Sequence, residues 1–365
     1  KIIFMLKFKI YLSDEGYGHI VRQRAILEKL NDYSNNPIDF TLQTHNHLKA
    51  AKDIFGKGNF IDKYNNISWQ KLENGSPDLV KIKKHYKDYD SKSIDFINNE
   101  KDLSEFDFLI SDFVYEAFQL GQTNNIPSFG VAHFTWDWFF NKLYPPTINS
   151  KVMNLFFKLA SKADRIYFPL FTPIEIIKHY KNSVQVPLIV RKKNHPIKIN
   201  TNNSNFKILI IDSGSNLLKL HIEKSIENLG NLKDMQFFLA NEYRSDFENI
   251  RNIPKTHLMM DYIESMDLVI ARAGFNTISE CIACRTPMLL IGEAMNPEIN
   301  ENIINLKKQG LASFISLDEF RFGLHIFLPR FLKNEFNSLK TNMQNHELPI
   351  NGAEVIAKDI LNYTN

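Results

Sequence analysis

The sequence predicts two α/β domains in tandem, each built on a Rossmann-like, doubly wound parallel sheet. Short apolar runs alternate with helical patterns along the chain, which is typical of parallel βαβ units. A polar stretch without periodicity at 191–205 interrupts this alternation, which then restarts. At 365 residues, the chain also exceeds the length that one ordinary core can serve. We therefore expect an N-terminal domain at 1–192 and a C-terminal domain at 193–365, with the last helix a candidate to cross back to the first domain.

The apolar runs predict the individual strands. In the N-terminal half these are FKIYL (8–12), IDFTLQT (38–44), FDFLISD (106–112), IPSFGVAHF (126–134) and DRIYFPL (164–170). The last of them is expected to close the sheet. In the C-terminal half they are FKILIID (206–212), MQFFLA (235–240), THLMM (256–260), MDLVIA (266–271) and TPMLLIG (286–292).

Helices are predicted between these strands. Apolar residues at helical spacing indicate helices at 19–30 and 217–229, each directly after the first strand of its domain. Residues 56–100 are rich in Lys, Asp and Asn, and we assign them to helix and loop.

Composition excludes several functional classes. A hydrophobic content of 44%, a charged content of 23% and a net charge of +3 are typical of a soluble globular protein. A dedicated nucleic-acid binder would show a stronger basic excess. The two cysteines, Cys281 and Cys284, are interpreted as small core residues, because no second ligand pair for zinc lies nearby. The lack of a disulfide framework favours a cytoplasmic location.

The first loop with candidate chemistry, SDEGYGHIVRQ (13–23), follows the first strand. Gly16 and Gly18 allow a tight turn, and His19 begins the next helix. Ligands bind at the carboxyl ends of strands in open parallel sheets, so His19 could take a proton from a hydroxyl there. The alternative is that His19 only packs near the start of its helix.

Further polar residues are candidates for the acceptor side of the N-terminal domain. Asp112 ends a buried strand, and the triplet Trp136–Asp137–Trp138 could stack on a sugar face while its carboxylate takes a hydroxyl. The alternative for both Trp rings is the core.

Two loops of the C-terminal domain could bind phosphate. Ser213, Gly214 and Ser215 follow the first strand there and could present backbone and hydroxyl donors. Residues 271–291 read ARAGFNTISECIACRTPMLLI, with Gly274 followed by a polar cluster. Thr277 and Glu280 could form a capping box, or the free N–H groups of the helix start could bind a diphosphate while the carboxylate holds a ribose.

The stretch 267–310 resembles the donor-binding half of GT-B glycosyltransferases, above all the N-acetylglucosaminyltransferases that form the cell-wall precursor lipid II (glycosyltransferase family 28). Residues 108–140 are similar to the glycosyltransferase-like domain of arabinokinases. The resemblance implies a GT-B fold, in which the two domains face each other across a cleft. It assigns donor binding to Arg272, Gly274, Asn276, Thr277, Glu280, Glu298 and Asn302. Glu280 would hold the ribose, and the 274–277 turn would face the diphosphate. Relatives often carry Gln near the position of Glu298, so the donor sugar stays open.

The resemblance further implies a transferase that moves a sugar from a nucleotide-diphosphate sugar, expected to be UDP-linked, to an acceptor hydroxyl that His19 deprotonates. The reaction is expected to invert the anomeric carbon, and neither a metal nor another cofactor is expected. The acceptor would be a glycan, a lipid-linked glycan or a small molecule, and no nucleic-acid partner is expected. A nucleotide-sugar hydrolase of related fold and a non-catalytic nucleotide-sugar or glycan-binding protein are the alternatives.

Two stretches combine basic and apolar residues, KVMNLFFKLASK (151–162) and RFGLHIFLPRFLK (321–333). Either could contact the inner face of a membrane that bears cell-envelope glycan precursors. The alternative is an amphipathic helix that faces the core.

Overall fold

A computed structural model describes the chain except for residues 1–4, 66, 68, 73–76, 101, 144–147, 194–196, 198–205, 212–217, 255–257, 294 and 365. The described residues form two compact units. Unit 1 comprises 5–72, 77–191 and the residues from Pro349 onward, and unit 2 comprises Lys192–Leu348.

The described residues of unit 1 form a seven-stranded parallel sheet. Its strands are β1 (Leu6–Leu12), β2 (Ile38–Thr44), β3 (Asn59–Asp62), β4 (Phe108–Asp112), β5 (Ser128–Val131), β6 (Arg165–Pro169) and β7 (Ser183–Val186). Their order is β3-β2-β1-β4-β5-β6-β7, so the direction of winding reverses between β1 and β4. Leu12 pairs with Asp112 at this reversal, which brings the carboxyl ends of β1 and β4 together. Ligand sites of open α/β sheets lie at this point.

Two sequence expectations for this sheet are wrong. The strand predicted to close it, β6, is followed by β7, which pairs with β6 and forms the edge. The poorly readable region 56–100 contains β3 in addition to helices. Both missed strands are only four residues long and partly exposed, so they carry little apolar periodicity.

Helices cover both faces of the unit 1 sheet. They are α1 (Gly18–Tyr33), α2 (Leu48–Phe55), α3 (Leu79–Tyr86), α4 (Tyr89–Asn98), α5 (Glu116–Asn124), α6 (Trp136–Lys142), α7 (Ser150–Ala160) and α8 (Ile174–His179). One buried cluster joins Phe8 of β1 to Ile20 of α1. Another joins Ile166 of β6 to Phe139 of α6 and Phe156 of α7.

The described residues of unit 2 form a six-stranded parallel sheet. Its strands are β8 (Phe206–Ile211), β9 (Met235–Leu239), β10 (Ile250–Asn252), β11 (Leu268–Arg272), β12 (Met288–Ile291) and β13 (Ser313–Ile315). Their order, β10-β9-β8-β11-β12-β13, is that of a Rossmann sheet. The central strands β8, β11 and β12 are buried almost throughout, which explains their continuous apolar runs.

The helices of unit 2 lie between and after these strands. They are α9 (Lys219–Gly230), α10 (Met260–Ile263), α11 (Phe275–Cys284), α12 (Pro297–Gln309), α13 (Leu324–Asn334) and α14 (Phe336–Asn345), with a π-helical turn at Glu319–Gly323. The strand predicted at 256–260 is wrong, because Met260 begins α10. Residues 256 and 257 of that range lie outside the described residues.

Both basic, apolar stretches bury an apolar face within their own unit. Helix α7 buries Val152, Phe156 and Leu159, and α13 buries Leu328 and Phe331. Among the described residues, no helix combines the length and the hydropathy that crossing a bilayer requires.

The chain ends in helix α15 (Gly352–Thr364), which belongs to unit 1. Ile356 and Ile360 are fully buried in the same cluster as Phe8. The start of the helix is tied to the segment after β7, because the Gly352 N–H donates to the Leu188 carbonyl at 2.9 Å and the Leu188 N–H donates to the Pro349 carbonyl at 3.0 Å.

Gly352→Ala is expected to destabilise unit 1. An added Cβ would lie 2.1 Å from the carbonyl oxygen of Pro187, a backbone atom that cannot rotate away. Forced overpacking of this kind costs about 1–3 kcal/mol of unfolding free energy. Chemical denaturation measures this loss. Gly323→Ala is the matched control, because a Cβ there meets nothing within 4 Å. Equal stability of both variants would contradict the close docking of α15.

Candidate active site

The loop after β1 is held in place by a buried carboxylate, that of Asp14. Asp14 is 3% exposed; its Oδ1 accepts hydrogen bonds from the Thr44 hydroxyl and the His45 N–H, and its Oδ2 accepts one from the Asn65 N–H. Gly16 has a φ of 77°, which only glycine adopts without strain. The loop therefore delivers the chain into α1 at Gly18 in a defined position.

His19, the second residue of α1, contacts Asp112 at the end of β4. The His19 Nδ1 lies 2.6 Å from the Asp112 Oδ1, and the Arg22 Nη2 lies 3.1 Å from the same ring nitrogen. If Nδ1 carried no proton, its lone pair would point at the Asp112 carboxylate only 2.6 Å away, and the two would repel each other. We therefore assign the proton to Nδ1, which donates to Asp112 and leaves the lone pair of His19 on Nε2.

Asp112 is a fully buried carboxylate with several donors. It accepts from the Arg22 Nε at 2.9 Å and from the Gln23 Nε2 at 2.9 Å, and the Arg22 Nη2 donates to its other oxygen. Burial by itself would raise the pKa of Asp112. The Arg22 guanidinium and the contacts with His19 outweigh burial, so the pKa of Asp112 lies well below its ordinary value. Asp112 is therefore an anion that orients His19, and its burial keeps it from contacting an acceptor directly.

Sequence reasoning missed Arg22, Gln23 and His133. Arg22 is 3% exposed, and its Nη1 lies 2.8 Å from the His133 Nδ1, in the loop after β5. A signal was present, because His19, Arg22 and Gln23 share one face of α1 and that face must pack on the sheet. Charged residues are almost never fully buried unless they are paired.

The Trp136–Asp137–Trp138 triplet forms part of the core. Trp136 is 3% exposed and Trp138 is 8% exposed, within a cluster of aromatic rings. The Asp137 Oδ1 accepts hydrogen bonds from the Tyr180 and Tyr115 hydroxyls, at 2.8 and 3.2 Å. The core alternative therefore describes both rings, and stacking of Trp136 on a sugar is a wrong expectation.

In unit 2, helix α11 begins at Phe275 with Gly274 as its N-cap, and no side chain caps it. Thr277 is already inside the helix, so the capping-box interpretation is wrong. Asn276 and Thr277 are partly exposed in the first turn, while Glu280 lies one turn further and is 7% exposed. The first turn of α11 thus presents backbone N–H groups beside partly exposed polar side chains, which suits an anion.

The structure describes three further residues that the sequence predicts to bind the donor, Asn302, Arg272 and Glu298. The Asn302 Nδ2 donates to the Ala273 carbonyl at 2.9 Å and ties α12 to the β11–α11 corner. The Arg272 Nη2 forms an ion pair with Glu293, so its charge already has a partner. Glu298 is partly exposed in the first turn of α12. Ser213, Gly214 and Ser215 lie outside the described residues.

The remaining titratable side chains show no metal-binding arrangement within the parts of the chain that are described. Among the described residues, no group of three or more His, Cys, Asp or Glu side chains is placed to hold an ion. Cys281 is fully buried, which raises the pKa of its thiol.

Comparisons with known proteins agree with this architecture. Residues 201–360 match the family model described as the glycosyltransferase family 28 C-terminal domain. A curated relative from Elusimicrobium minutum (strain Pei191), a UDP-N-acetylglucosamine–N-acetylmuramyl-(pentapeptide) pyrophosphoryl-undecaprenol N-acetylglucosamine transferase, is 30% identical over 166 residues. That alignment covers 40% of this chain and 45% of the relative, so it spans less than half of either.

Solved structures resemble the whole chain. They include the calicheamicin glycosyltransferase CalG4, with a TM-score of 0.68 at 10% identity and 98% coverage of both chains. The glycotransferase of kitacinnamycin has a TM-score of 0.67 at 13% identity, again with 98% coverage of both. Glycosyltransferase VinC, solved in complex with dTDP, has a TM-score of 0.63 at 10% identity and 99% coverage of both.

The chain has the GT-B fold of glycosyltransferases. The predicted GT-B fold is confirmed for the whole chain, and the predicted similarity of the C-terminal half to glycosyltransferase family 28 is confirmed by the match over residues 201–360.

Proposed function

We propose that this protein is a glycosyltransferase that transfers a sugar from a UDP-linked donor, bound by unit 2, to an acceptor hydroxyl bound by unit 1. The observation that carries the proposal is the His19–Asp112 pair at the winding reversal of the unit 1 sheet, in a chain whose residues 201–360 match the glycosyltransferase family 28 C-terminal domain.

The chemistry requires a base for the acceptor. The acceptor O–H gives its proton to the His19 Nε2, and the acceptor oxygen forms a bond to the anomeric carbon of the donor. The bond from that carbon to the diphosphate oxygen breaks, and UDP leaves with the electron pair. This single displacement inverts the anomeric configuration. The Asp112 anion stabilises the imidazolium that forms on His19, as a carboxylate does in Ser-His-Asp catalysis.

The donor assignment is supported by the β11–α11 corner. Backbone N–H groups at the first turn of α11 favour the diphosphate, and they stabilise the charge that develops on the leaving group. Glu280 is the proposed ribose partner. The curated relative uses a UDP-linked donor and an undecaprenol-linked acceptor by its name, and by analogy we propose a glycan or lipid-linked glycan acceptor and a cytoplasmic location, with peripheral contact to the membrane.

A donor panel tests the proposal directly. UDP-, GDP-, dTDP- and CMP-sugars are compared for their shift of the melting temperature, and acceptor-dependent release of the nucleotide is then measured with the donor that binds. We expect a UDP-sugar to stabilise the protein and its turnover to require an acceptor. Equal turnover without acceptor would instead support a hydrolase, and donor binding without turnover would support a binding protein.

Glu280→Gln is expected to weaken UDP binding while the fold is retained. A charge-assisted hydrogen bond to the ribose is worth roughly 1.5–3 kcal/mol, so the Kd should rise about tenfold to over a hundredfold. Titration calorimetry with UDP measures the change.

The matched control for this substitution is Glu227→Gln, on the exposed face of α9 in the same unit. Its UDP affinity should equal that of the wild type. If Glu280→Gln binds UDP normally and only its melting temperature falls, Glu280 has a structural role and the ribose assignment is wrong.

A further inference from the structure

A pocket of about 640 Å³ opens in unit 1 beside the loop after β1. Glu15 of that loop lines it, and the same loop leads into α1 and His19. His45 and Asn46 also line it, and their backbone N–H groups both donate to Asp14, at 2.7 and 2.9 Å. The pocket wall is thus anchored to the loop that carries the proposed base.

One wall of the pocket is aromatic. The Tyr64 ring stands edge-on to the imidazoles of His45 and His85, with centroids 6.3 Å away in each case. Tyr64 is 36% exposed, so part of its ring is open to a ligand. Trp69 is 6% exposed and packs edge-to-face against Phe139, with ring centroids 4.6 Å apart.

The rest of the lining is polar. It comprises the polar side chains of Asn46, Gln70, Lys71 and Glu15 in addition to the two imidazoles. Small-molecule pockets are usually lined mainly by hydrophobic and aromatic side chains, so this largely polar lining does not suit a flat apolar ligand. A few exposed ring faces among many hydrogen-bonding groups match a sugar, whose C–H faces are apolar and whose edges carry hydroxyls.

The described residues that line the pocket carry charges of both signs. Lys71 faces the same space as Glu15, and the His45 Nδ1 lies 2.6 Å from the Asp62 Oδ1. A pocket for a phosphate or a carboxylate would instead show an excess of cationic groups.

From this lining we propose that the pocket binds a neutral, hydroxyl-rich sugar as the acceptor, with its C–H face on Tyr64. The statement that the bound sugar is the acceptor rests on the proposed function. Binding of the sugar itself requires neither donor nor turnover.

The test measures binding to the full chain without donor, by saturation-transfer NMR and calorimetry. The probes are methyl glucoside, methyl N-acetylglucosaminide and cellobiose as neutral sugars, glucuronate as an anionic sugar, and 1-naphthol as a flat apolar phenol. We expect the neutral sugars to bind more tightly than glucuronate and 1-naphthol. If none of the neutral sugars binds, or if 1-naphthol or glucuronate binds more tightly, the inference is wrong.

Tyr64→Ala is expected to weaken binding of the neutral sugar roughly tenfold, because the stacking ring is lost. Tyr64→Phe keeps the ring and should stay close to wild type. Tyr33→Ala, which removes a similarly exposed Tyr (39%) from α1, should have no effect. Binding that is insensitive to Tyr64→Ala would contradict the assignment of the pocket.

The two proposals fail in different ways. His19→Ala should retain sugar binding even though transfer is lost. Sugar binding without any transfer in the wild type would overturn the proposed function and leave the pocket assignment standing. Transfer to acceptors that do not bind this pocket would overturn the pocket assignment and leave the proposed function standing.

Discussion

His19→Ala is expected to lower kcat by about 10²–10⁴-fold, the usual cost of removing a general base. Donor affinity should not change, because the proposed donor groups all belong to unit 2. The geometry supports this role, since the His19 Nδ1 lies 2.6 Å from the Asp112 Oδ1 and the proton assigned to Nδ1 leaves the lone pair on Nε2. Steady-state kinetics with saturating donor and calorimetry with UDP provide the two measurements.

His179→Ala is the matched control for this substitution, because His179 is exposed at the end of α8. Its kcat should equal that of the wild type. A His19→Ala enzyme that keeps more than about a tenth of the wild-type kcat would remove His19 from the mechanism, since such a loss falls below the range for a general base.

Asp112→Asn is expected to impair both catalysis and stability. The amide can donate to the His19 Nδ1, which would move the ring proton to Nε2 and remove the lone pair that the acceptor needs; a tautomer change of this kind cost a serine protease about 10⁴-fold in kcat. The substitution also leaves the Arg22 side chain, 2% exposed, without its anion. Breaking a buried ion pair costs about 3–5 kcal/mol of unfolding free energy.

The pH dependence of the unfolding free energy tests whether the loss of stability in Asp112→Asn comes from the missing carboxylate charge. Because the folded-state pKa of Asp112 is lowered, its contribution to stability is fully present above the unfolded pKa of about 3.9 and is lost as the pH falls toward the folded value. The unfolding free energies of the wild type and of Asp112→Asn, measured with urea, should therefore differ most at pH 7, and the difference should begin to shrink as the pH falls below about 4.

Asp107→Asn serves as the comparison. The Asp107 carboxylate accepts a hydrogen bond from the Lys7 N–H at 2.7 Å, and it forms no ion pair among the described contacts. It should cost less than Asp112→Asn at pH 7. A constant difference between wild type and Asp112→Asn across this pH range would show that the carboxylate charge is not the source of the stability.

Local patterns predicted much of the fold. The strand at 38–44 matches β2 at both ends, and the helix predicted at 19–30 lies within α1. Both elements carry apolar residues at the spacing of their secondary structure, such as Ile20, Leu27 and Leu30 in α1, and that spacing is visible in a short window of sequence. The wrong strand at 256–260 was an apolar run too short to distinguish from a buried helical turn.

The sequence by itself determined the α/β class with its parallel sheets, the resemblance to the GT-B fold, and the loop that leads to His19. Only the tertiary structure decided what surrounds His19. Asp112 lies 93 residues away in sequence and contacts His19 because β4 pairs with β1. The order of strands in a sheet depends on residues far apart in sequence, so a short stretch of sequence does not predict it. The same holds for Trp136, since burial depends on the elements packed around a side chain and not on its neighbours in sequence.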